Sequence, residues 1–404
     1  MESLGYLALI WCSVYLSILL AERTRLTPVL YFLAMGSIMV NTGLLPLEPD
    51  HFIESFAEVG IIIIMFALGF EESTSNFVKS IKRAWGIALF GALGPFLASF
   101  SIAHFFWQDF SVSIMCGLAM AATTVSLSMV SLKSEGLHKT PLARGIMTSA
   151  VVDNISSLIL IAVMVPLATG DAMITPAGIG MIIVKAVIFF AIVAVLGMWI
   201  LPNKRHGFKS ILQFQKGEHT TLAVLLLALL AALLSYAFGF HAAVGAYMAG
   251  LIVREEFFHF HNHPKVDYYE NTKRIVDNVA FSWIGPVFFV VLGTKIVFDW
   301  EIFVSVIPFT LAMFGALFVA QIVSAGLAAR YIGKFTKQES LMIGFGMLGR
   351  AELAFVVMGI AYIDYTIFPP ETFYTLMFTA FWLNVAVPIT IAAWKPYLIK
   401  NQSG

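Results

Sequence analysis

Long apolar runs, separated by short polar clusters, fill the chain from end to end. A helix that crosses the hydrocarbon core of a bilayer needs about 20 mostly apolar residues, and windows of that kind predict thirteen membrane-spanning helices. The first six cover residues 4–21, 27–44, 56–70, 84–106, 111–132 and 145–169. The seventh covers 177–201. The last six cover 220–238, 241–253, 276–294, 302–329, 340–363 and 372–394. The third and ninth windows are short, which points to tilted or broken segments. Two windows carry polar patches in mid-run: AATTVSLS at 121–128 in the fifth, and GMLGRAEL at 346–353 in the twelfth. Glycine, hydroxyls and charge at membrane depth predict local unwinding, which is tolerated where backbone lines a cavity or is buried in protein.

Composition agrees with this pattern. Of 404 residues, 59% are hydrophobic and 12% charged, which excludes a soluble globular domain. Lys plus Arg and Asp plus Glu number 24 each, so no net charge points to nucleic acid or an acidic partner. Cys12 and Cys116 lie in apolar runs and read as small core residues rather than as a disulfide or metal ligands. The first run lacks a basic leader and a small-residue cleavage site, which predicts a retained helix rather than a signal peptide.

Basic residues then test the helix count. Arg23 and Arg25, Lys79, Lys82 and Arg83, and Lys133, Lys139 and Arg144 occupy alternate connections. Lys204, Arg205, Lys209 and Lys216 continue the series, followed by Arg254, Lys265, Lys273 and Arg274, then Arg330, Lys334 and Lys337, and Lys395 and Lys400 at the tail. The intervening connections hold acids such as Glu48, Asp50, Asp109, Asp171, Asp299 and Glu301. Lys and Arg concentrate on the cytoplasmic side of membrane proteins, so the C-terminus is expected inside and the N-terminus outside. Helices one to six then run opposite to helices eight to thirteen. This predicts two inverted six-helix repeats joined by a linker helix, an all-α polytopic architecture that places substrate near the bilayer midplane.

The candidate chemistry centres on the sixth window. Asp153 and Asn154 sit near its middle, and ionisable groups at membrane depth are costly enough to mark function. Ser149, Asp153 and Ser157 recur at helical spacing on one face, with Ser156 beside them. A cation that sheds its water needs oxygen ligands, and a carboxylate binds either a cation or a proton. Competition for one acid is antiport in its simplest form. Thr123, Thr124 and Ser126 offer hydroxyls, or alternatively bond back to their own helix. Arg350 and Glu352, two apart, would not face each other on a regular helix; around a break they would pair, or each would answer a helix-end partial charge. Gln321 in the eleventh window is a lone polar side chain, a ligand or a packing residue.

Lys185 and Lys295 read as helix-end residues that snorkel. Glu71 and Glu72 close the third window and offer an entry funnel. His259, His261 and His263 alternate in one connection, where a solvated loop is the plainer reading and metal binding or pH sensing the sharper one. No phosphate-binding loop, nucleophile elbow, zinc-protease motif or dinucleotide fingerprint occurs, so neither an enzyme nor a nucleotide-driven pump has a motif behind it, and no cofactor is implied.

Six motifs in order carry a family resemblance: FALGFEE at 66–72, AATTVS at 121–126, SAVVDN at 149–154, GFHAAVGAYMAGLIV at 239–253, GPVFFVVLG at 285–293 and GRAEL at 349–353. With these the chain resembles the monovalent cation–proton antiporter-2 family, which includes bacterial sodium–proton antiporters and glutathione-gated potassium efflux systems. The resemblance implies one membrane unit over 1–404 that forms a homodimer. A dimerisation panel would comprise 1–75 and 219–297, a moving transport core 83–170 and 301–397, and the linker helix 177–201. It implies elevator-type alternating access in the bacterial inner membrane, with two broken helices crossing beside Asp153. Thr123 and Thr124 match the family's broken-helix hydroxyls, and Arg350 and Glu352 its arginine–glutamate pair.

Two positions depart from the family pattern. Asp153 precedes Asn154 where members commonly carry a second acid, and Gln321 stands where several sodium-transporting relatives carry lysine. Both changes remove ionisable groups, which predicts electroneutral exchange of sodium or potassium for protons. An uncoupled or gated cation channel, and a transport-inactive sensor, are the alternative readings.

Overall fold

Why the apolar windows become helices follows from the absence of water in a bilayer, which leaves the backbone no partner except itself. The computed structural model describes residues 2–24, 27–47, 50–71, 77–124, 126–137, 139–169, 176–201, 212, 219–258, 267–297, 299–350 and 352–400. Among them every regular element is helical. Among the described residues nine helical spans, one of them the continuous stretch Tyr268–Thr294, are long and apolar enough to cross a membrane, and three shorter apolar helices, Pro28–Asn41, Phe110–Ala121 and Ala242–Ile252, accompany them.

In chain order the helices are α1 (Glu2–Thr24), α2 (Pro28–Asn41), α3 (His51–Glu71), α4 (Phe77–Trp107), α5 (Phe110–Ala121) and α6 (Ser126–Ser134). They continue with α7 (Pro141–Ala168), α8 (Pro176–Val195), α9 (Thr220–Ala237), α10 (Ala242–Ile252), α11 (Tyr268–Asn278) and α12 (Gly285–Thr294). The last are α13 (Trp300–Tyr331), α14 (Lys337–Gly346), α15 (Glu352–Gly359) and α16 (Pro370–Lys400). One turn of π-helix extends α8, another follows α11, and a third extends α15.

Several helix starts carry a side-chain cap. Asp109 accepts the Val112 amide at 2.8 Å to start α5, and Thr140, with Pro141 after it, starts α7. Thr336 and Glu339 form a reciprocal capping box at the head of α14. His241 is satisfied locally: its Nδ1 accepts the Ala243 amide at 3.2 Å and caps α10.

Several expectations need correction. The third window is not broken: α3 is a continuous helix of 21 residues. The tenth begins earlier than hydropathy suggested, because the amphipathic α11 carries Glu270, Lys273, Arg274 and Asp277 into the helix. Lys185 lies mid-way along α8 with its side chain exposed, not near an end, and Lys295 caps the end of α12. Cys116 is buried, whereas Cys12 is exposed on α1, so only one of the two is a core residue. Glu72, His259, His261 and His263 lie outside the described residues.

The chain folds as two units. The first comprises Met1–Ser17, Phe32–Ser75 and Ala172–Lys295, and the second Ile18–Tyr31, Asn76–Asp171 and Ile296–Gly404. In the first unit helices meet backbone to backbone. A Cβ at Gly69 of α3 would stand 2.1 Å from the Tyr247 carbonyl oxygen, and one at Gly250 of α10 would stand 2.2 Å from that of Phe66. Each glycine thus receives a carbonyl of the partner helix, the close approach that small residues allow where hydrophobic force between helices is weak. Gly250→Ala is expected to lower unfolding stability by about 1–3 kcal/mol through overpacking, while Gly5→Ala, which meets open space, leaves it unchanged or slightly raised. Denaturant unfolding of the detergent-solubilised protein checks both.

Candidate cation site

The second unit holds both polar patches, and each is where a helix breaks. Ala122, Thr123 and Thr124 leave helical geometry between α5 and α6, and Leu348, Gly349 and Arg350 do so between α14 and α15. A break strands amides and carbonyls that the helix ladder would have paired, so every such group needs another partner.

Asp153 on α7 answers the first break. Its side chain is 0% exposed, and its Oδ2 accepts both the Thr123 amide at 2.9 Å and the Thr123 hydroxyl at 2.6 Å. Short charge-assisted bonds of this kind are the strong ones. Among the described residues the other oxygen, Oδ1, has no hydrogen-bond partner, and neither do the hydroxyls of Ser149 and Ser157, buried one turn before and one turn after. Three unpartnered oxygens therefore share one face of α7. Oxygen donors on a carboxylate and two hydroxyls are the chemistry that a hard monovalent cation requires, and a proton satisfies the carboxylate equally well.

Arg350 answers the second break. It is fully buried, and its Nη1 donates to the carbonyls of Met347 at 3.0 Å, Leu348 at 3.1 Å and Gly349 at 3.0 Å, beyond the end of α14. A cation belongs at that end of a helix dipole, and Glu352 opens α15 at the opposite pole. Nη2 donates to Gln321 Oε1 at 2.7 Å, and Gln321 Nε2 donates to the Gly91 carbonyl of α4 at 3.1 Å. Gln321 thus ties α13 to α4 and to the guanidinium. The Arg350 charge also acts on the Asp153 carboxylate.

The two breaks are bonded to each other. The Thr124 amide donates to the Gly349 carbonyl at 3.1 Å, and the Ser128 hydroxyl donates to the carbonyl of Gly346. Asp153, Thr123, Thr124, Arg350 and Gln321 are therefore gathered in one region. Asn154 follows Asp153 on α7 and is half-buried. Ser126 opens α6, but its side chain lies outside what the structure describes. One residue of this region is new: Asn384 of α16, fully buried, whose Oδ1 accepts the Arg350 amide at 2.9 Å while its Nδ2 donates to the Arg350 carbonyl at 2.6 Å. A lone amide in the middle of TAFWLNVAVP was the only trace of it in the sequence.

The family model for the transmembrane sodium/hydrogen exchanger matches residues 9–394. The Na(+)/H(+) antiporter of Enterococcus hirae is 25% identical over 364 residues, covering 89% of this chain and 90% of that protein. The Na(+)/H(+)-K(+) antiporter GerN of Bacillus cereus is 27% identical over 354 residues, covering 87% and 86%. Among solved structures, the sodium proton antiporter MjNhaP1 of Methanocaldococcus jannaschii has the same fold, with a TM-score of 0.70 over 98% of this chain and 99% of that one at 18% identity.

The Thr123–Asp153 contact predicts an energetic coupling. Thr123→Val removes the hydroxyl but keeps the amide and the shape, and should cost about 1–3 kcal/mol. The cost should shrink when Asp153→Asn is already present, so a double-mutant cycle by denaturant unfolding reads the coupling directly.

Proposed function

We propose, because the chain belongs to the transmembrane sodium/hydrogen exchanger family, that it is a secondary antiporter exchanging sodium or potassium for protons at Asp153. One observation carries the reading: a fully buried carboxylate is anchored to a broken helix through Oδ2 while Oδ1 and two buried serine hydroxyls on its face have no partner among the described residues. Such an acid binds one cation or one proton, and release of the first is the condition for taking up the second. The relatives from Enterococcus hirae and Bacillus cereus, named as antiporters of these ions, support the same assignment.

The finer reading places the chain with the monovalent cation–proton antiporter-2 group. Thirteen crossings arranged as two inverted repeats give residues 83–170 and 301–397 the role of an elevator that carries Asp153 from one membrane face to the other. Residues 1–75 and 219–297 form the static panel through which a homodimer assembles, with 177–201 as the linker helix. The basic connections set the N-terminus outside and the C-terminus in the cytoplasm of a bacterial inner membrane.

Proteoliposomes test the central claim. Wild type should exchange sodium, potassium or lithium for protons, and Asp153→Asn should abolish exchange in protein that is still folded; undiminished flux in the variant moves the role to another residue. Lowering the pH raises the competing proton concentration, so the cation concentration for half-maximal rate should rise as pH falls, with the maximal rate little changed. An uncoupled channel would instead pass current without moving protons.

Stoichiometry has its own test. Asp153 is the acid of the site, and Arg350 stays paired with carbonyls and Gln321. One cation for one proton at one acid moves no net charge. Exchange should therefore not respond to an imposed voltage at fixed ion gradients, and a voltage-dependent rate would refute the one-for-one count.

A further inference from the structure

The clasp that closes the first break has a counterpart at the second. Asp153 reaches from α7 to the Thr123 amide, and Asn384 reaches from α16 to the Arg350 amide, each at 2.9 Å and each with no exposed surface. The two differ in what remains. Asp153 keeps one oxygen unpartnered. Asn384 has committed both ends of its amide to a single residue, accepting from the Arg350 N–H and donating to the Arg350 carbonyl. Pairing with both the N–H and the carbonyl of one residue engages the amide at each end and fixes the two peptide units that meet at Arg350.

What the Arg350 peptide fixes is the site. Its guanidinium folds back onto the three preceding carbonyls, so the position of the charge is set by local backbone. The carbonyl of Gly349, the residue before it, accepts from Thr124, the neighbour of the residue that binds Asp153. A continuous series of bonds thus runs from Asn384 through the Arg350 backbone, Gly349, Thr124 and Thr123 to the carboxylate. Gly349 leaves little slack in it: a Cβ there would meet Thr124 Cγ2 at 2.7 Å and Asn384 Oδ1 at 3.4 Å.

We propose that Asn384 is a positioning residue for exchange: by clasping the Arg350 peptide it sets where the Arg350 charge and the Thr124–Gly349 bond stand against Asp153, and so tunes cation affinity without touching the cation. The proposal rests on the reading that Asp153 takes the cation. Asn384→Ala removes both bonds, whereas Asn384→Asp keeps the acceptor that faces the Arg350 amide.

The test compares wild type, Asn384→Ala, Asn384→Asp and Asp153→Asn in proteoliposomes, with sodium and potassium binding to the detergent-solubilised proteins followed by calorimetry. Loss of hydrogen bonds of this class predicts that Asn384→Ala raises the half-saturating cation concentration about fivefold or more, with a smaller effect on the maximal rate per folded molecule. Asn384→Asp should fall between Asn384→Ala and wild type. A rise below about threefold in Asn384→Ala, or a loss confined to the maximal rate, overturns the proposal. Should only Asn384→Asp fold, the same threshold decides on that variant, and failure of both to fold assigns Asn384 to folding and overturns it. Absence of exchange in wild type, or full exchange in Asp153→Asn, fails the underlying reading instead, and is distinguishable for that reason.

Discussion

Everything in the second unit depends on how two broken helices are satisfied where no water can do it. An interrupted helix at membrane depth strands donors on one side of the break and acceptors on the other, and each unmet group costs several kcal/mol in hydrocarbon. Here the donors are met by side-chain oxygens of Asp153 and Asn384, and the acceptors by the guanidinium of Arg350. The bonds that make the fold possible are the same bonds that shape the site. On the proposed function, a change at Thr123 or Arg350 therefore alters stability and ion handling together.

The helices were legible because hydropathy is a property of a window, and windows are long. Their ends were less so, since caps such as Asp109 and Thr140 lie in the connections and extend helices past their apolar stretch. The charged face of α11 hid a helix that continues into an apolar one. Both breaks were visible as glycine, hydroxyls and charge in mid-run, and AATT and GMLGR are where the helical geometry stops.

Within the site, Asp153 was evident because an acid in an apolar run is rare. Its partner Thr123 was visible as a type but not as a contact, which depends on the path of the chain through the break. Arg350 and Gln321 stand 29 residues apart, and their bond is tertiary. Asn384 is silent in the sequence for a related reason. A single amide in an apolar helix is normally a packing residue, and only the open peptide of Arg350 gives it a second task.

The first unit is built on another principle, seen where Gly69 and Gly250 each admit a carbonyl of the facing helix. Main chain pressed on main chain has no rotamers to exchange, and so nothing along that seam can adapt by small steps. At those two positions α3 and α10 have little room to slide past each other, so the pair is better pictured as one beam than as two sliding rods.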